Sequence, residues 1–195
     1  MPQEFDRRAA YTQGLVALGG NVTSLAGHPG ATLERALEHL AQLQGAPVQA
    51  SRLFRTPSFP AGSGPDYVNA VARIETDLSA TDLLAALHAI EAAFGRERDT
   101  RWAARTLDLD LLDFGGAVLP DLATYAAWRD LPLEAQMRAA PDRLILPHPR
   151  IQDRAFVLVP LADIAADWVH PVSGQSVAEM LAALPEADKA AIRPL

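Results

Sequence analysis

Hydrophobic positions along this chain change period several times, and each change marks an element. Leu15-Val16-Ala17-Leu18 is a short apolar run closed by Gly19-Gly20-Asn21, which predicts a buried strand with a tight exit. From Pro29 the spacing becomes helical. Leu33, Leu37, Leu40 and Leu43 fall on one stripe, and Gly45 is the expected stop. Val48–Arg55 predicts a second strand. Three prolines and two glycines between Thr56 and Pro65 predict a loop. Residues Tyr67 to Ile74 alternate as a third strand, with Asn69 on a largely apolar face. Ser79, with Asp82 three positions on, is a helix N-cap. Leu83, Leu84, Leu87, Ile90 and Phe94 then form a stripe that Gly95 ends.

The pattern from Arg105 to Leu112 alternates strictly. Thr106, Asp108 and Asp110 share one face of the predicted strand, and Leu107, Leu109 and Leu111 share the other. Residues 117–142 lack a period and predict an insertion with one short helix. Leu144-Ile145-Leu146 runs into a rigid Pro147-His148-Pro149-Arg150 turn. Arg154 to Leu161 is continuously apolar and is read as a further strand, and Ser176 to Leu184 predicts a final helix. Residues 1–11 read as a loose arm. The order predicts an α+β fold: a ferredoxin-like antiparallel sheet with packed helices and extra C-terminal elements, in one domain over residues 1–195.

Composition narrows the function. A chain of 195 residues with 49% hydrophobic positions builds one sizeable core. A net charge of −7 argues against general nucleic-acid binding, which needs a basic surface. With no cysteine, thiolate nucleophiles, disulfides and zinc–thiolate sites are ruled out together. Met1–Ala10 has no apolar core of the kind a secretory leader carries, and no apolar run is long enough to span a membrane, so a cytoplasmic protein is expected.

Within this acidic chain, positive charge concentrates in one place. Residues 95–105 hold Arg96, Arg98, Arg101 and Arg105 with Trp102 among them, directly before the strand of Asp108 and Asp110. Two carboxylates two positions apart on a strand lie about 7 Å apart at Cα, close enough to converge on metal ions. A metal-binding acidic face beside guanidinium groups suits phosphoryl-transfer chemistry. Paired aspartates also occur as a solvated strand face. A non-catalytic ferredoxin-like module that binds small molecules is therefore the alternative, and a metal-dependent nuclease is a third reading that the net charge disfavours. The glycines near Gly19 lack the Gly-Lys-Ser/Thr ending of a P-loop, no Gly-x-Ser-x-Gly elbow occurs, and no two histidines stand at zinc-site spacing.

Taken in order, Leu18-Gly19-Gly20-Asn21, Arg55-Thr56-Pro57, Asp66-Tyr67-Val68-Asn69, Glu91, Gly95-Arg96-x-Arg98, Arg101-Trp102-x-x-Arg105-Thr106-Leu107-Asp108-Leu109-Asp110, Pro147-His148-Pro149-Arg150 and Arg154-x-Phe156 resemble the 6-hydroxymethyl-7,8-dihydropterin pyrophosphokinase family, over about Leu15 to Gly174. The resemblance implies transfer of pyrophosphate from ATP to the pterin hydroxymethyl group, with release of AMP, in folate biosynthesis. It implies that Asp108 and Asp110 hold two magnesium ions and that Arg96 and Arg105 act on the triphosphate. It places Thr56, Pro57, Tyr67, Asn69, Trp102 and Phe156 at the pterin, with Trp102 and Phe156 on its two faces. Glu91, Arg98, His148 and Arg154 fall near ATP. ATP and the pterin are the implied partners, and a monomer is expected. Gly20 departs from the family's usual serine, Ala103-Ala104 from Gly-Pro, and Ser58-Phe59 from Pro-Leu.

Overall fold

The computed structural model describes residues 11–43, 48–58, 62, 64–95, 105–132, 134–135 and 140–195. β1 (Thr12–Gly20) lies in an antiparallel sheet between β4 (Tyr67–Thr76) and β5 (Asp108–Phe114). Beyond β4 come β2 (Gln49–Ala50), β3 (Phe54–Thr56) and, on the far edge, β6 (Arg193–Pro194). The predicted strand Val48–Arg55 is thus two short pieces against one partner. Ser51 explains the break: its own amide donates to the Val71 carbonyl, and its Oγ accepts the Val71 amide, replacing ladder bonds with a side chain. Counting β2 and β3 as one interrupted strand, the strand–helix order is the ferredoxin-like one that the periodicity predicts.

Helices cover both faces. α1 (Pro29–Gln42) and α2 (Ala80–Ala93) bury Leu33, Leu40, Leu83, Leu87 and Ile90 against Val16, Leu18, Leu107, Leu109 and Leu111. Each buried leucine contributes roughly 1.5–3 kcal/mol. Ser79 caps α2 by accepting the Asp82 amide, and Gly95 follows its end at φ +81°, a left-handed conformation that favours glycine.

α3 (Leu122–Arg129) is the short helix expected in the insertion, fixed by Tyr125, whose hydroxyl meets His170 Nε2 at 3.2 Å in the interior. The other face of the sheet carries α4 (Ala155–Ala165) and α5 (Val177–Ala183), which pack on Leu15, Val71 and Leu112. The apolar run at 154–161 is therefore a helix and not a strand. A segment apolar on nearly every side has no period to read, and it tolerates Pro160. A capping box of Ser176 and Glu179 starts α5. α6 (Glu186–Ala190) and β6 follow it.

Candidate active site

The strand register assembles the site. Asp108 stands opposite Gly19, Gly19 opposite Asn69, and Asn69 opposite Phe54, in one row across four strands. Directly opposed residues project on the same side of a sheet, so a glycine in mid-row leaves a gap. The gap is a small cleft lined by Ala17, Leu18, Gly19, Asn69, Asp108, Asp110 and Phe156. A Cβ on Gly19 would come within 2.9 Å of Asn69 Oδ1. The sequence reads Gly19-Gly20-Asn21 as a strand exit in a supporting role; the structure makes Gly19 the floor of the cleft. The doublet alone could not reveal this, because it depends on which residues of β4 and β5 lie opposite.

One wall is acidic. Asp108 and Asp110 project from β5 on the side away from Leu107, Leu109 and Leu111, as the alternation predicts, although the strand begins at Asp108 and not at Arg105. Arg105 forms an ion pair with Asp108, and Arg154 Nη1 lies 3.5 Å from Asp110 Oδ2. Burial works against the Arg105 charge, but Asp108, with Asp110 behind it, outweighs burial and holds the guanidinium above the ordinary arginine range. The Arg105 backbone is fixed as well. Its amide donates to Asn21 Oδ1 at 2.9 Å, and its carbonyl accepts the Asn21 and Val22 amides. Asn21 also reaches the Pro65 carbonyl with its Nδ2. Asn21 is thus a tie between the β1 exit, the loop after β3 and Arg105.

Gly20 belongs to the same junction. A Cβ there would meet the Thr106 carbonyl oxygen at 2.6 Å, so a serine cannot fit unless this backbone moves.

The opposite wall is amide and aromatic. Asn69 is 6% exposed and donates from Nδ2 to Thr56 Oγ1 at 2.8 Å, which leaves its oxygen on the Gly19 side. Tyr67 is half-buried and close enough to Arg105 to act on its charge. Pro57 is exposed on the segment that follows β3. Phe156 sits in the first turn of α4 at 37% exposure, with the Arg154 guanidinium carbon 5.6 Å from its ring centre. Because α4 begins beside the cleft, its positive N-terminal end faces the acidic wall.

His148 lies near Asp108 and Arg154. Burial, helped by the Arg154 charge, pushes it down to about 3, so it is neutral. Its Nδ1 accepts the Arg150 amide, which leaves Nε2 as the protonated nitrogen. Glu91 is 1% exposed on α2, and its Oε1 accepts the Leu109 amide at 2.7 Å, between the two aspartates of β5. Arg96, Arg98 and Trp102 lie outside the described residues.

The donor set fits magnesium. Among the described residues no cluster of three or more His, Cys, Asp or Glu side chains could hold a metal. Magnesium commonly takes only one or two carboxylates, and completes its shell with water and phosphate oxygens.

The model of the 7,8-dihydro-6-hydroxymethylpterin-pyrophosphokinase family matches residues 15–166. The 2-amino-4-hydroxy-6-hydroxymethyldihydropteridine pyrophosphokinase of Synechocystis is 38% identical over 86% of this chain and 73% of its own. The Pseudomonas aeruginosa protein of the same name is 40% identical over 87% of this chain and 90% of its own. A solved HPPK-DHPS chain from Plasmodium falciparum superposes with a TM-score of 0.61 at 14% identity. That match covers 88% of this chain but only 43% of the Plasmodium chain, and it bears on the fold alone.

Proposed function

This chain belongs to the 7,8-dihydro-6-hydroxymethylpterin-pyrophosphokinase family, and from that premise we infer how its residues carry the reaction. The enzyme transfers pyrophosphate from ATP to the hydroxymethyl group of 6-hydroxymethyl-7,8-dihydropterin in folate biosynthesis. The hydroxyl oxygen attacks the β-phosphorus, the bridge to the α-phosphorus breaks, and AMP leaves. The carrying observation is the row Asp108–Gly19–Asn69, which sets an acidic wall and an amide wall on either side of one bare position.

The pterin occupies the gap over Gly19. Asn69, held by Thr56, offers its side-chain oxygen to the ring's amino edge, and Phe156 covers one face of the ring. Pro57 and Tyr67 complete this end. Asp108 and Asp110 would hold magnesium, and the ion would supply positive charge to offset that of the phosphates. Arg105 and Arg154 bind phosphate oxygens, helped by the N-terminus of α4. Neutral His148 donates from Nε2 on the nucleotide side. Glu91 bears on the nucleotide through β5, by fixing the backbone between the aspartates. The resemblance gives Arg96 the triphosphate, Arg98 the ATP and Trp102 the second face of the pterin.

Omission assays test the reading. ATP, magnesium and the hydroxymethyl pterin together should give AMP, and leaving out any one should give none. A non-catalytic binding module would make no AMP, and a nuclease would be indifferent to the pterin.

A further inference from the structure

Both carboxylates of the acidic wall are already engaged by arginines, and each arginine is held from a second side. Arg105 pairs with Asp108 while Asn21 brackets its backbone. Arg154 reaches Asp110 while its guanidinium lies over Phe156 at the start of α4. The four side chains are only 21–40% exposed, so these contacts are less screened than ordinary surface pairs. A divalent cation approaching Asp108 and Asp110 alone competes with both guanidinium groups for the carboxylates and brings those groups no anion in return.

We propose that Arg105 and Arg154 are exchange counterions, which occupy the metal-binding carboxylates until phosphate arrives and then pass to the phosphate oxygens. The inference rests on the assignment of Asp108 and Asp110 as magnesium ligands. Its consequence is a coupling. Metal alone binds weakly, nucleotide alone meets two arginines still tied to aspartates, and the pair binds well because each ion releases the partner the other needs. By linkage, nucleotide strengthens metal binding by the same factor as metal strengthens nucleotide binding. The acidic wall thus stays closed to free divalent cations and opens to a cation that arrives with a polyphosphate.

The test uses Mn2+, followed by its electron paramagnetic resonance signal, on the full chain. Affinity is measured with and without α,β-methylene ATP, whose carbon bridge replaces the oxygen that the reaction breaks. Arg105→Gln and Arg154→Gln should each strengthen binding of Mn2+ alone by about fivefold, the effect expected of a partly buried ion pair. Both should shrink the gain that the analogue gives. Arg150→Gln is the control for long-range charge, because Arg150 is a nearby cation paired instead with Asp153; it should leave Mn2+ affinity within about twofold of the parent. Unchanged or weaker binding of Mn2+ alone in the first two variants overturns the exchange, and so does an equal strengthening in Arg150→Gln. If the parent fails to bind Mn2+ even with the analogue present, the metal assignment itself fails. Binding with the analogue but no strengthening in the variants removes only the exchange.

Discussion

At the scale of single residues, the site depends on side chains that are present and on one that is missing. Gly19 has no positive φ to require glycine, so a methyl group there acts by occupying space: it would stand 2.9 Å from Asn69 Oδ1. Gly19→Ala should therefore leave the melting temperature within a few degrees of the parent and raise the KM for the pterin about tenfold or more, because Asn69 turns away and the gap fills. Steady-state kinetics with a thermal melt checks this; an unchanged pterin KM would take Gly19 out of the floor. The aspartates were legible because strict alternation against leucines needs only one strand to be read. Asn69 was legible because an amide on an apolar face needs a partner. Gly19 was not, since its role comes from what lies opposite. The tie made by Asn21 was hidden for a related reason: it joins residues 84 positions apart.

Elements fix where those side chains point. β5 is an edge strand, and the Glu91 carboxylate from α2 takes up one of its amides between the two aspartates. Removing that acceptor leaves a buried donor unsatisfied. Glu91→Ala should cost ~1–3 kcal/mol in denaturant unfolding, while Glu91→Gln, which keeps an amide oxygen, should cost less. Equal losses in the two variants would mean that the acceptor is not what matters. Gly20→Ser probes the junction on the other side of the site. With the Thr106 carbonyl 2.6 Å from the new Cβ, the backbone of Arg105 and Thr106 must shift, and kcat should fall about tenfold with a smaller change in KM. Unchanged kcat would show that the Arg105 position is not critical. Strands and helices with a clear period were legible in the sequence. α4 was misread because an apolar segment looks alike as a buried strand or a buried helix. α6 and β6 gave no signal, being five residues and two residues long.

For the molecule as a whole, His148 and His170 tie the fold to pH. His148 is pushed down to about 3 from its ordinary 6.5, and His170, buried beside Tyr125 and Trp168, is also lowered. Between pH 6.5 and 3 the unfolded chain takes up more protons at His148 than the fold does, so stability rises with pH across this window and is lost on acidification. His148→Asn keeps an acceptor for the Arg150 amide but cannot titrate. Its melting temperature should fall less between pH 7 and 4 than that of the parent, and identical falls would remove His148 from the acid response. If the Asp108–Asp110 face directs pyrophosphoryl transfer to the pterin, the reaction products depend on it. The most direct test is the nucleotide product, measured together with pterin pyrophosphate, for the parent chain and for Asp110→Ala. Asp110 is 40% exposed, so losing its side chain should leave the fold intact. The parent should give AMP and pterin pyrophosphate in equal amounts, and turnover should be lowered about a thousandfold or more in the variant. Release of ADP, or an Asp110→Ala variant that turns over like the parent, would contradict this role of the face.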